Sequence, residues 1–158
     1  MKRAEFKGLA EQARRESVSS YAVGALIVEG GRVLIVKRKT DDFFGGFYEI
    51  PGGGVQGSES LKDAVKRETS EETGLKVTDI VRYLGSFDYE SESGERTRQF
   101  NFLVRTRDCK VRLGGEHTLH IWASRDDIAG YLDAGDKVRT VIEEFWKRND
   151  AGRRRLRG

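Results

Sequence analysis

Gly53-Gly54-Val55-Gln56-Gly57-Ser58-Glu59-Ser60-Leu61-Lys62-Asp63-Ala64-Val65-Lys66-Arg67-Glu68-Thr69-Ser70-Glu71-Glu72-Thr73-Gly74-Leu75 is the stretch that decides the fold. Its second half reads as a helix from about Ser60 to Thr73. Ser60 with Asp63 forms a capping-box-like start, and Gly74 supplies a left-handed stop. On a helix turning about 100° per residue, Leu61, Ala64 and Val65 form an apolar stripe facing a core. With Leu61 at zero, Glu68 falls at about −20° and Glu72 at about +20°, in the middle of that stripe. Glu71, at about −80°, lies at one edge, and Thr69, at about +80°, at the other. A Glu-Glu pair on a solvated face is unremarkable; carboxylates along an inward face are not. Like charges gathered there cost free energy unless protons or cations neutralise them, and carboxylate oxygens suit hard divalent ions such as Mg²⁺ or Mn²⁺.

Upstream, Tyr21 to Val28 and Arg32 to Arg38 are β-rich runs joined by Glu29-Gly30-Gly31, a hairpin signal. Thr40 to Gly46 reads as a loop and Phe47 to Ile50 as a short strand. Gly52, Gly54 and Gly57 match G-x-G-x-x-G, but the antiparallel hairpin before them argues against a dinucleotide-binding βαβ unit. The glycines read as a bend where backbone approaches a ligand or metal, the alternative being a plain flexible turn. Downstream, strands are expected over about Val77 to Tyr89, Thr97 to Arg107 and Thr118 to Ala123. Helices are expected near Arg125 to Leu132 and Asp136 to Arg148, and an amphipathic segment from Phe6 to Arg15. The order predicts one α/β domain with a mixed sheet.

Spacing adds a resemblance. Gly53, five residues, Glu59, seven residues, Arg67-Glu68, two residues, Glu71-Glu72, one residue, then Gly74-Leu75 resembles the Nudix box. Thr69 departs from the pattern, standing where that family usually has an aliphatic residue. The resemblance spans about Ser20 to Arg148 and implies a Nudix α/β/α sandwich whose members hydrolyse a nucleoside diphosphate linked to another group. It implies that Glu68, Glu71 and Glu72, with the Gly52 carbonyl, hold Mg²⁺ or Mn²⁺, and that Arg67 orients the carboxylates. Glu59 becomes an outer partner near the helix start. The general base is implied to be a box glutamate or a later-loop one, for which Glu116 is the candidate; Glu116 reads equally as a turn carboxylate.

The substrate is implied less sharply. Arg38 stands where MutT-type triphosphate pyrophosphohydrolases carry a phosphate-contacting arginine, and reads otherwise as a strand-end charge. Phe43, Phe44, Phe47 and Tyr48 crowd the approach to Gly52 and Gly53; Phe44 is the candidate for stacking on a base, with Gly52 and Gly53 lining the substrate site. No proline follows Pro51, which sets the chain apart from the ADP-ribose subgroup. Tyr89 reads more readily as a strand residue than as a ligand contact, and Asp136 as a helix N-cap than as a base-edge acceptor. A (deoxy)nucleoside triphosphate is therefore the leading substrate. The alternatives are a non-catalytic nucleotide-sensing module and an RNA 5′-pyrophosphohydrolase.

Composition agrees with a folded domain. The chain has 158 residues, 37% hydrophobic, with 19 glycines against one proline. A lone Cys109 excludes a disulfide framework, no apolar run is long enough for a membrane span, and the N-terminal residues lack a signal-peptide apolar region. A cytoplasmic protein is expected, a monomer or homodimer binding a small nucleotide. The formal charge of +3 rests on Arg153, Arg154, Arg155 and Arg157; removing those four turns +3 into −1, so nucleic acid is not the expected partner. The expected boundaries are an N-terminal segment 1–19, a domain 20–149 and a basic, frayed tail 150–158.

Overall fold

The computed structural model describes residues 1–41 and 45–155, with side chains through residue 151. Strands β1 (Ser20–Glu29) and β2 (Arg32–Arg38) form the expected hairpin, with Val28 opposite Val33, and Gly30 and Gly31 supplying positive φ at the turn. β3 (Tyr48–Glu49) and β7 (His117–Ala123) both pair antiparallel with β2. β4 (Gly52–Gly54) adds antiparallel to β1. β5 (Val77–Glu90) and β6 (Arg96–Thr106) make a long hairpin whose second strand runs parallel to β1, from Ser20 opposite Thr97 to Ile27 opposite Val104. The seven strands make a mixed sheet in the order β3-β2-β1-β6-β5, with β4 and β7 attached to β1 and β2.

Period-two alternation divides the interior into two cores. Val23, Ala25 and Ile27 of β1, with Leu34, Phe100 and Phe102, pack beneath α1 (Arg3–Arg15) and α2 (Leu61–Thr73). Leu26, Val33 and Ile35 point the other way, onto Ile142, Phe145 and Trp146 of α3 (Lys137–Arg155). This is the α/β/α sandwich expected from the sequence. The amphipathic N-terminal segment is a docked helix: Phe6 is buried with its ring 5.4 Å from that of Phe102, and Ala13 is fully buried.

Three local expectations change. The bend at Gly52–Gly54 is a short strand, because the glycine run lies extended along β1. The helix expected near Arg125 to Leu132 is only a 3-10 turn, Ile128–Gly130; Ser124 and Asp127 bond each other ahead of it, and a glycine interrupts the run. The last helix does not stop at Arg148 but continues through Arg155. Among the described residues, no helix is long and apolar enough to cross a membrane.

Candidate active site

Helix α2 begins where Ser60 Oγ accepts the Asp63 amide at 3.2 Å and ends at Gly74, φ 69°. Between these caps the wheel geometry holds: Glu68 and Glu72 are buried, while the Glu71 side chain is 60% exposed. Thr69 is fully buried rather than at an edge, and its hydroxyl donates to the Val65 carbonyl at 2.7 Å. A polar residue thus fills an apolar position without leaving an unpaired group.

Arg67 organises the acidic face. Its Nε and Nη2 donate to the two oxygens of Glu59 at 2.9 and 2.8 Å, a bidentate pair that anchors the guanidinium to the loop before the helix. Nη1 reaches Glu68 at 2.6 Å and Glu71 at 3.1 Å, and Nη2 also donates to the Gly54 carbonyl at 2.9 Å. Hydrogen bonding to Arg67 holds the Glu59 carboxyl below its ordinary range. Glu68 moves the other way, because burial outweighs its pairing with Arg67.

The glycine strand brings backbone to within bonding distance of these carboxylates. The Gly52 amide donates to Glu72 Oε2 at 2.8 Å. A Cβ on Gly53 would stand 2.6 Å from the Glu68 carboxyl, and one on Gly52 would stand 2.1 Å from the Val23 carbonyl oxygen. Gly52 has no room for a side chain, and one at Gly53 would displace the Glu68 carboxyl. Close backbone approach, expected from the sequence, holds even though the expected bend does not.

Burial pushes Glu72 up to about 9, helped by the charges of Glu49, Glu68 and Glu116 and opposed by the Gly52 amide. A carboxyl in that state takes a proton or a cation. Glu72, Glu49 and His117 present ligand atoms within 4.8 Å of one another, close enough for one divalent ion. Glu68 and Glu71 are instead tied to Arg67, with Glu68 the nearer of the two to the guanidinium. The carboxylate oxygens of this group, from Glu72 and Glu49, are of the kind a hard divalent metal takes.

Beside this cluster lies a cavity of about 470 Å³, lined by Arg38, Glu49, Gly52 and Gly53 at one end. Aromatic residues Phe47, Tyr48, Phe87 and Tyr89 and residues at the start of α3, from Asp136 to Val138, also line it. Arg38, at the end of β2, sits 3.2 Å from Glu49 and 3.6 Å from Glu116. Glu116, 65% exposed, is near enough for its charge to raise both Glu68 and Glu72. Asp136 caps α3, accepting from the Val138 and Arg139 amides at 2.7 and 3.3 Å, and faces the cavity as well. Tyr89 is likewise both strand residue and cavity wall. Phe43 and Phe44 lie outside the described residues.

The sequence reading brought Glu68, Glu72, Arg67, Gly52, Gly53, Arg38 and Glu116 to one region and missed Glu49 and His117. Both belong to strands flanking β2, so only the register makes them neighbours: Val36 opposes Glu49 and Arg38 opposes His117. The available signal was Glu49 itself, a carboxylate in a short strand three residues before Gly52.

Fold and site together define an α/β/α domain with a carboxylate-bearing helix at the edge of a nucleotide-sized cavity. The chain belongs to the NUDIX domain family, whose model matches residues 19–148. It is 30% identical over 133 residues to an ADP-ribose pyrophosphatase of Methanocaldococcus jannaschii, an alignment that takes in 83% of this chain and 63% of that protein. The chain therefore spans less than two thirds of that relative's length. Over 116 residues it is 28% identical to the nucleoside triphosphatase NudI of Escherichia coli, covering 67% of this chain and 82% of that one. A crystal structure of a MutT protein from Methanosarcina mazei superposes with a TM-score of 0.72 at 29% identity, covering 82% of this chain and 94% of the other.

Proposed function

We propose that the domain is a Mg²⁺-dependent pyrophosphohydrolase that converts a (deoxy)nucleoside triphosphate to the monophosphate and pyrophosphate. The carrying observation is a cavity lined by Arg38, Glu49, Gly52, Gly53 and four aromatic rings, with the Gly52 amide bonded to Glu72 and Arg38 paired to Glu116. Polyphosphate would lie against the charged end and the nucleobase between the rings. Glu72, Glu68 and Glu71 would hold the metal, with Mn²⁺ an accepted substitute, and the Gly52 carbonyl is a further candidate ligand. When bound, a divalent ion neutralises phosphate charge and lowers the pKa of a coordinated water.

The chain's own residues do the rest. Arg67 keeps Glu68 and Glu71 aligned through Glu59, so little reorganisation accompanies the reaction. Arg38 offsets phosphate charge by charge-assisted hydrogen bonds. Glu116, paired with Arg38, is exposed enough to take a proton from an attacking water and release it to solvent. The intact carboxylate set favours catalysis over a purely sensing module.

A second reading has one observation behind it: the archaeal relative is an ADP-ribose pyrophosphatase. A hydrolysis screen with Mg²⁺ across NTPs, dNTPs, ADP-ribose, nucleotide sugars, dinucleoside polyphosphates and capped RNA separates the readings. The triphosphate reading expects the highest kcat/KM on an NTP or dNTP. A preference of tenfold or more for ADP-ribose would replace it.

A further inference from the structure

His117 is wholly buried at the start of β7, and the function proposed above gives it no task. Its Nε2 lies 3.0 Å from Glu49 Oε1, and the same oxygen lies 3.2 Å from Arg38 Nη1. Three strands produce this meeting: β7 sets His117 opposite Arg38 across β2, and β3 sets Glu49 opposite Val36, two residues away on the same face. The register irregularity between Lys37 and Arg38 falls at this point, where a bulge re-aims the side chain.

The ring's other nitrogen decides its role. His117 Nδ1 is buried and has no hydrogen-bond partner among the described residues. A proton on Nδ1 would be a buried donor with no acceptor, whereas one on Nε2 faces Glu49 Oε1 at 3.0 Å. If Nε2 ligated an ion instead, the proton would move to Nδ1, whereas metal-binding histidines ordinarily hand that proton to an acceptor. The imidazole is a donor here.

We propose that His117 is a positioning residue: by donating to Glu49 Oε1 it fixes the carboxylate that aims the Arg38 guanidinium into the cavity. The brace rests on the reading of Arg38 as a phosphate contact. Its shared acceptor explains why a carboxylate stands so near a phosphate site: Glu49 orients the arginine, and His117, whose Nε2 lies 3.0 Å from Glu49 and 3.9 Å from Glu72 Oε1, holds Glu49 in that place.

The test is a double-mutant cycle on the full chain, read by calorimetric binding of an α,β-methylene nucleoside triphosphate in the presence of Mg²⁺. Arg38→Ala should weaken binding about tenfold, the usual worth of a charge-assisted hydrogen bond. His117→Leu should weaken it about three- to tenfold, yet add nothing in the Arg38→Ala background. His117→Gln, which keeps a donor at similar reach, should bind within about twofold of wild type. Glu49→Gln runs through the same cycle if the buried leucine variant fails to fold. Loss with Arg38→Ala but none with His117→Leu, or additive losses, would overturn the brace and leave the phosphate contact standing. No effect of Arg38→Ala would remove the phosphate contact and the brace with it. A fall in Mn²⁺ affinity in His117→Leu, measured without nucleotide, would make the imidazole a ligand and also overturn the proposal.

Discussion

Replacing Glu72 by Gln should stabilise the metal-free protein. Burial, with the charges of Glu49, Glu68 and Glu116 behind it, raises the Glu72 carboxyl from 4.5 to about 9 in the folded state. A raised acid contributes stability that is fully present below its unfolded value and is lost as pH climbs toward the folded one. Between pH 4.5 and 7 the unfolded chain ionises this group and the folded chain does not, at about 1.4 kcal/mol per pH unit. The nominal cost at pH 7 is therefore roughly 3 kcal/mol, and relaxation around the site brings it to about 1–3 kcal/mol. Gln carries no such cost, and its amide oxygen can still accept the Gly52 N–H that now lies 2.8 Å from Oε2. Urea unfolding with a chelator should show a midpoint about 0.5–1.5 M higher for Glu72→Gln at pH 7, given an m-value of ~2 kcal/mol/M. The gap should nearly close at pH 5. Saturating Mg²⁺ should narrow or reverse it, since ligand at a hundredfold excess over Kd contributes about 2.7 kcal/mol to wild type. A variant no more stable than wild type at pH 7, or a gap independent of pH, would refute the buried, cation-seeking carboxyl.

Gly53→Ala puts a Cβ 2.6 Å from the Glu68 carboxyl, so turnover should fall at least about a hundredfold with about 1–3 kcal/mol of stability; steady-state kinetics within threefold of wild type would contradict this. Thr69→Val removes the hydroxyl bond to Val65 from a fully buried site and should cost about 0.5–1.5 kcal/mol, the net worth of that bond, whereas Thr69→Ile should cost about 1–3 kcal/mol through overpacking; denaturant midpoints check the order. Arg38→Ala should raise KM about tenfold or more on a triphosphate and less on a diphosphate-linked substrate, and equal effects on both would make Arg38 a general phosphate contact.

The active helix was legible because its caps and its apolar stripe lie within one local segment. Ser60, Gly74 and the Leu61–Ala64–Val65 face set the rotation, and the rotation sets Glu68 and Glu72 inward. The β4 strand was not legible, because three glycines have no β-propensity and pair only where β1 offers an edge. Glu49 and His117 escaped for a related reason: 68 residues separate them, and only the β3-β2-β7 register joins them. Helix α3 outruns its expected end because no apolar periodicity marks residues beyond Trp146. Thr69 looked like an edge residue on the wheel and is fully buried, since sheet and helix close around that flank. Short-range chemistry survives in the sequence; neighbours supplied by strand register do not.

The most direct test of the proposed reaction follows ³¹P NMR signals of a dNTP incubated with the wild-type protein and Mg²⁺. The account predicts nucleoside monophosphate and inorganic pyrophosphate appearing in equal amounts, abolished by chelator and slowed by orders of magnitude in Glu71→Gln. Nucleoside diphosphate with inorganic phosphate, or turnover that ignores the metal and the variant alike, would contradict it.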